Sequence, residues 1–276
     1  MKVAVILTCF NRKEKTNRCL ENLFDQMLPE NTELQVFLCD DASSDGTSEM
    51  LEKNFPQVMK VKGNGSLFWN GGMNLAWEKA KESDQFDFFI WLNDDTYLYP
   101  SAILTMFEQY YELERPGIIV GACQDPATGD FSFGGTNYDG MVVPNGRPQE
   151  VKLINGNIVL VSAEIDQKLN GLSPDFTHYF GDYDYGLRAQ AAGFPCYSTE
   201  KYIASCEINS IPYWGDSKLS FSKRWFLFHS VKGMAAKEYF YFLRIHEGIF
   251  VSLKKIISAY LRVLFPDLFL TIKRIF

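Results

Sequence analysis

The first 125 residues alternate between short apolar runs and stretches of helical periodicity, and no other feature of the chain restricts its fold as much. Lys2 to Thr8 reads as a strand; Leu20, Leu23, Phe24, Met27 and Leu28 then recur at helical spacing. Leu34 to Cys39 reads as a second strand, closed by the polar turn DDASSDGT. In that turn Ser44 or Asp45 is placed to cap a short helix that carries Met50, Leu51 and Phe55 inward. Val58 to Lys62 reads as a third strand, residues 63–69 as a loop and Asn70 to Lys81 as a helix. Phe86 to Leu92 is almost continuously apolar, the pattern of a strand covered on both faces. A helix marked by Ala102, Ile103, Met106, Phe107 and Tyr110 and a strand over Ile118 to Cys123 complete the series. Strands alternating with helices predict an α/β fold, a mostly parallel sheet flanked by helices, with ligands bound beyond the carboxyl ends of the strands.

Residues 130–162 are richer in glycine, with a PNGR turn and short strands, and 163–172 read as a short helix before HYFGDYDYGLRAQAAGF, an acidic aromatic loop running into a helix. With 276 residues, no internal repeat and no low-complexity linker, one compact catalytic domain is expected over 1–238, followed by a distinct segment over 239–276. The net charge of −7 argues against nucleic acid as a partner. The apolar run at the N-terminus is too short for a signal peptide, and no stretch of about 18 uncharged apolar residues suggests a membrane span. Six scattered cysteines without C-x-x-C spacing suit reduced thiols in the cytoplasm.

Three polar clusters follow strands and so fall on one rim: CFNR after the first strand, DDAS after the second and NDD after the DFFIWL strand. Asn93, Asp94 and Asp95 close the DFFIWL strand, where adjacent carboxylates need solvent or a cation. Such oxygens suit Mg²⁺ or Mn²⁺, and Asp95 or Thr96 equally suits a helix cap. Asp40 and Asp41 can accept from a nucleobase or ribose, or close an Asx-type turn. Asp182, among Tyr179, Phe180, Tyr183 and Tyr185, has the surroundings of a general base with a raised pKa, or of a helix N-cap. Asp184 and Arg188 are spaced as an exposed i,i+4 ion pair, worth about 0.3–0.5 kcal/mol.

The order TCFNR, DDASSDGT, GGMN, WLNDD, INGN, FGDYDYGLR over about residues 1–235 resembles the family-2 inverting glycosyltransferases with the A-type nucleotide-sugar fold. The resemblance implies a UDP- or dTDP-sugar donor and a glycan or lipid-linked acceptor. Thr8, Phe10, Asn11 and Arg12 would line the nucleotide pocket, and Asp40 with Asp41 would bind base and ribose. Trp69, Gly72 and Asn74 would shape the donor site, and Asn155-Gly156-Asn157 the acceptor cleft. Asn93-Asp94-Asp95 stands at the family's D-x-D metal motif, with Asp95 the chief ligand, Asn93 beside it and Asp94 facing the donor. Asp182 matches the residue that deprotonates the acceptor hydroxyl. LFWNGGMN and HYFGDYDYGLR resemble a rhamnosyltransferase-like branch that builds bacterial surface polysaccharides.

Three positions depart from the family pattern: Asn93 replaces an Asp, Gly181 a Glu, and Cys206 stands where many members place a metal-site His. The three histidines, His178, His229 and His246, are expected in structural or surface roles, with a late-loop phosphate contact as the alternative for His229. A nucleotidyltransferase would carry a Gly-rich loop after the first strand, and TCFNRKEK has no glycine. A non-catalytic sugar- or partner-binding protein on the same scaffold is the other reading; it should have lost an acidic member of the site, whereas Asp95 and Asp182 are both present.

The segment 239–276 carries six basic residues (Arg244, Lys254, Lys255, Arg262, Lys273, Arg274) against Glu247 and Asp267, a net +4 that leaves −11 for the rest. Large apolar residues lie between the charges. That composition suits a basic amphipathic helix on the inner face of the plasma membrane, or one packed on the catalytic domain or a second subunit.

Overall fold

A computed structural model describes residues 1–208 and 212–267. The chain forms two compact units: 1–174 with 182–208, and 175–181 with 209–276. The boundary expected at 238/239 falls inside a helix of the second unit.

In the first unit the elements run β1 (Lys2–Cys9), α1 (Lys13–Phe24), β2 (Glu33–Asp40), α2 (Thr47–Asn54), β3 (Met59–Lys62), α3 (Phe68–Ser83), β4 (Phe88–Leu92), β5 (Tyr97–Leu98), α4 (Ala102–Glu112) and β6 (Ile118–Gln124). The short strands β7 (Phe131–Phe133), β8 (Thr136–Asn137), β9 (Gly140–Met141) and β10 (Gln149–Glu150) follow. Then come β11 (Ile158–Ser162), α5 (Ala163–Leu169), α6 (Gly181–Ala191) and β12 (Cys196–Ser205). The main sheet has the order β10-β12-β6-β11-β4-β1-β2-β3. β3, β2, β1 and β4 are parallel, and β12 is parallel to β6. β11 runs antiparallel to both β4 and β6, so the sheet is mixed at its centre. Because β11 is reversed, the residues that precede it share a rim with the residues that follow β4.

The apolar runs are buried on both sides. Val3, Val5 and Leu7 face a core shared with α1, α2 and α4, through Leu20, Leu23, Met50, Leu51, Ile103, Met106 and Phe107. Ala4 and Ile6 face a second core with Met73, Ala76, Trp77 and Ala80 of α3, Ile165 of α5, and Tyr185 and Ala189 of α6. This two-sided burial is what a strand without polar alternation demands.

Two boundaries differ from the periodicity. α1 stops at Phe24, leaving Met27 exposed outside the helix. The Gln26 side chain donates to Tyr99 O and accepts from Ile103 N–H, and Met27 N–H donates to Pro100 O, which turns the chain away. α3 begins at Phe68, two residues early, because the Asp41 carboxylate accepts from Gly65, Leu67 and Phe68 N–H and so serves amides that a helix start leaves open. The cap position of α2 falls on Gly46, not on Ser44 or Asp45; Asp45, one residue earlier, accepts from Thr47 N–H, and its other oxygen takes Lys13 N–H at the start of α1.

The second unit contains α7 (Phe221–His229), α8 (Ala236–Glu247) and α9 (Ile249–Leu264). Phe228, Ala236, Ala259 and Val263 form its core, with Trp214 and Tyr260 against them. Buried Arg224 donates from Nε to Val263 O at 2.9 Å, tying α7 to the end of α9. Phe176 and Thr177 join α8 through the Phe242 ring and the Glu238 carboxylate. Lys273 and Arg274, counted in the basic segment, lie outside the described residues.

Candidate active site

The rim beyond β1, β2 and β4 gathers the polar clusters of the sequence. Cys9 pairs with Asp40 at the ends of β1 and β2. Asn11, in a left-handed conformation (φ 52°), locks the two following loops together: its N–H donates to Ser43 Oγ and its Oδ1 accepts from Ser44 N–H at 2.7 Å. Arg12 is thereby held over the end of β4. Its Nη1 donates to Asp94 Oδ1 at 2.9 Å and to Asp95 Oδ2 at 2.7 Å. Asp94 and Asp95 are 4% and 7% exposed, whereas the Arg12 side chain is 42% exposed, so the cation covers the pair from the solvent side. Burial, reinforced by Asp95 and opposed by Arg12, pushes the Asp94 carboxyl up to about 7.

Thr16, one helical turn after Arg12, turns its hydroxyl to Asp94 Oδ2 at 3.4 Å. No motif marks this residue; its i,i+4 spacing from Arg12 is the signal that places it on the same face of α1. Asn93 faces elsewhere. Its Oδ1 accepts from Trp69 Nε1 at 2.7 Å, and its N–H donates to Asn157 O.

Trp69 carries the rim on to Asp182. Its six-membered ring lies against Gly156, where a Cβ would stand 2.4 Å from Cζ2. Gly156 N–H donates to Asp182 Oδ2 at 2.9 Å, and Tyr183 N–H to Asp182 Oδ1 at 2.9 Å. Burial raises the Asp182 carboxyl to about 6 against the pull of these amides. Tyr185, three residues on, packs on Trp91 and Trp77 and so fixes α6 to β4 and α3.

Other expected site residues have local structural partners. Asp41 holds the start of α3. Asp40 accepts Ser43 N–H in an Asx-type turn, and its Oδ2 makes no hydrogen bond to the described residues. Thr8 and Gly72 pack β1 against α3: a Cβ at Gly72 would fall 2.1 Å from Thr8 Oγ1. Asn74 exchanges two hydrogen bonds with the Leu172 backbone and borders a polar cleft of about 480 Å³ beside Glu78 and Lys81. Phe10 is exposed at the rim. Cys206 is buried beside Asn157, whose amide it accepts at 3.2 Å, and burial pushes its thiol up to about 12. His229, in the second unit, has both ring nitrogens engaged, with Trp225 O and Tyr260 OH. The Asp184–Arg188 pair forms at 2.7 Å, but Asp184 is buried and Arg188 also donates to Leu169 O and Gly171 O, so it is not an exposed pair.

Among the described residues no group of three or more His, Cys, Asp and Glu side chains forms a metal cage. The donor chemistry at the end of β4 nevertheless fits a hard divalent ion. Two buried carboxylate oxygens converge on one cationic nitrogen, and Mg²⁺ typically takes one or two carboxylates plus phosphate oxygens and water.

A mixed sheet with helices on both faces and an acidic rim after β4 defines an A-type glycosyltransferase fold. Residues 4–153 match the model of glycosyl transferase family 2, more than half of the chain, and the chain belongs to that family. Among solved structures it is similar to a mannosyltransferase, PcManGT, from Pyrobaculum calidifontis in complex with GDP-Man and Mn²⁺. The identity is 16% and the TM-score 0.56, over 77% of this chain and 58% of that one. It is likewise similar to residues 1–349 of S. aureus TarS with UDP (15% identity, TM-score 0.54, 76% of this chain and 61% of that one). With UDP-GlcNAc bound, TarS 1–349 gives 16%, 0.55, 86% and 66%. The chain thus spans about three fifths of the first structures it resembles. No curated protein sequence matches it significantly.

Proposed function

We propose that the protein is an inverting, metal-dependent hexosyltransferase that moves a sugar from a UDP- or dTDP-sugar to a glycan or lipid-linked acceptor. Its place is bacterial surface polysaccharide synthesis, in the rhamnosyltransferase-like branch. The observation that carries this reading is the tie between the buried Asp94–Asp95 pair and Asp182, through Asn93, Trp69 and Gly156. Asp95 and Asp94 are the residues to hold Mg²⁺ or Mn²⁺, and Asn93 positions Trp69. When bound, the ion neutralises charge developing on the departing diphosphate. Asp40, with one oxygen uncommitted, and exposed Phe10 suit the nucleoside. Asp182, largely ionised at neutral pH, takes the proton of the attacking hydroxyl, and a single displacement inverts the anomeric carbon. GDP-Man with Mn²⁺ in one similar structure and UDP-GlcNAc in another support the kind of donor and metal. A thermal-shift panel of nucleotide sugars in Mn²⁺, followed by NMR of the product anomer, tests the proposal. Stabilisation by a UDP- or dTDP-sugar and an inverted product are expected; a retained anomer, or no response to any donor, counts against it.

We also propose that α9 attaches the protein to the cytoplasmic face of a membrane. No helix among the described residues is long and apolar enough to cross one. On α9, Ser252, Ala259 and Val263 face the unit's own core, while Ile249, Phe250, Leu253, Ile257, Leu261 and Leu264 form an exposed apolar stripe with Lys254 at its edge. Apolar burial with basic flanks is how an interfacial helix holds to anionic lipid. Flotation with phosphatidylglycerol vesicles should carry the wild type but not Phe250→Asp/Ile257→Asp; equal flotation of both, or none of the wild type, refutes the attachment.

A further inference from the structure

We propose that Arg12 is the resident cation of the Asp94–Asp95 pair, that a divalent ion binds there only by displacing it, and that the released guanidinium takes the donor diphosphate. The inference rests on the metal-dependent reading above. A single nitrogen, Nη1, bridges the two carboxylates at 2.9 and 2.7 Å, while both carboxylates are buried and fixed at the end of β4. Two adjacent buried carboxylates repel unless a positive charge lies between them, and Arg12 supplies it.

A divalent ion ligated by these same two oxygens would need the place between them that Nη1 holds. The backbone at Arg12 is fixed through Asn11 and its bonds to Ser43 and Ser44, and through Arg12 O, which accepts Thr16 N–H. The side chain alone is therefore what moves, and it is half exposed toward solvent. Once displaced, the guanidinium has lost two carboxylate partners on the rim. A diphosphate is the anion whose paired oxygens match its planar fork.

Metal entry and diphosphate arrival are then coupled. Alone, each cation competes for one carboxylate pair; together with the diphosphate, both cations have partners. Such coupling is reciprocal and typically about 5- to 150-fold.

The test measures Mn²⁺ binding, by electron paramagnetic resonance of the free ion, to wild type and Arg12→Gln, with and without UDP. Without UDP, Arg12→Gln should bind Mn²⁺ at least about fivefold more tightly, at the low end of that range. The gain in Mn²⁺ affinity that UDP confers should shrink in the variant. A residue that merely oriented the carboxylates for the metal would give the opposite sign, weaker Mn²⁺ binding on substitution. Should Arg12→Gln prove unfolded in EDTA, Mn²⁺ alone should restore its melting transition, because the ion replaces the lost charge; no such rescue overturns the proposal. Equal Mn²⁺ affinity in the two proteins overturns this proposal and leaves the metal-dependent reading standing. Mn²⁺ binding to neither protein, even with UDP, removes that reading and this one with it.

Discussion

Gly156→Ala tests the wedge that joins Trp69 to Asp182. The added Cβ would lie 2.4 Å from Trp69 Cζ2 and 2.7 Å from Cη2. Carbon atoms pack at about 3.5 Å or more, so ring and backbone must part by about 1 Å. A retreat of the ring by that amount takes the 2.7 Å Trp69–Asn93 hydrogen bond out of range, and a retreat of the backbone does the same to the 2.9 Å bond from Gly156 to Asp182. Overpacking of this kind costs about 1–3 kcal/mol, and a lost hydrogen bond adds about 1 kcal/mol. In a chain of this size each kcal/mol lowers the melting temperature by about 2–4 °C, so a fall of roughly 4–16 °C is expected. The assay is thermal unfolding of Gly156→Ala, Trp69→Phe and the double variant. The smaller ring makes room for the methyl, so the double variant should be less destabilised than the sum of the singles. An unchanged melting temperature for Gly156→Ala, or strict additivity in the cycle, would refute the wedge.

Other expectations follow from the same geometry. The transfer rate should rise with pH through about 6 as Asp182 loses its proton, and Asp182→Asn should lower it by about 10² to 10⁴-fold while UDP affinity is kept. Since folding raises this carboxyl from 3.8 to about 6, its contribution to stability is full below 3.8 and lost as pH rises through 6. The wild type should therefore gain in melting temperature over Asp182→Asn between pH 7 and pH 4. Asp184→Asn removes a charged partner of Arg188 in a buried setting and should cost about 1.5–3 kcal/mol in chemical denaturation, with the nucleotide site intact. Asn74→Ala should lower stability without changing UDP affinity in calorimetry, because its amide holds the Leu172 backbone.

The fold was legible wherever burial writes itself into the sequence. Val3 to Leu7 of β1 and all of β4 are apolar because both faces of these strands meet helices, and the three polar clusters share a rim because their strands are parallel. The reversal of β11 was not legible, since IVLVS carries the same apolar pattern in either direction. Asp41 shows a different limit. Its neighbours in sequence suggest a ligand-binding rim, but its partners are amides 24 to 27 residues away, which no local pattern announces. Asp184 and Arg188 were found by spacing alone, yet spacing says nothing of the burial that makes the pair matter. The family resemblance places Arg12 in the nucleotide pocket. That it closes the acidic pair is a contact across 82 and 83 residues, visible only once α1 and β4 are packed.

The central claim is that the rim after β4 binds a nucleotide through a divalent ion held by Asp95. Titration calorimetry with UDP and with dTDP, in Mn²⁺ and in EDTA, on wild type and Asp95→Ala, measures it directly. The account predicts that at least one nucleotide binds the wild type in Mn²⁺, that EDTA weakens this binding, and that Asp95→Ala in Mn²⁺ matches the wild type in EDTA. Equal affinity in Mn²⁺ and EDTA, or full affinity in a folded Asp95→Ala protein, would contradict it.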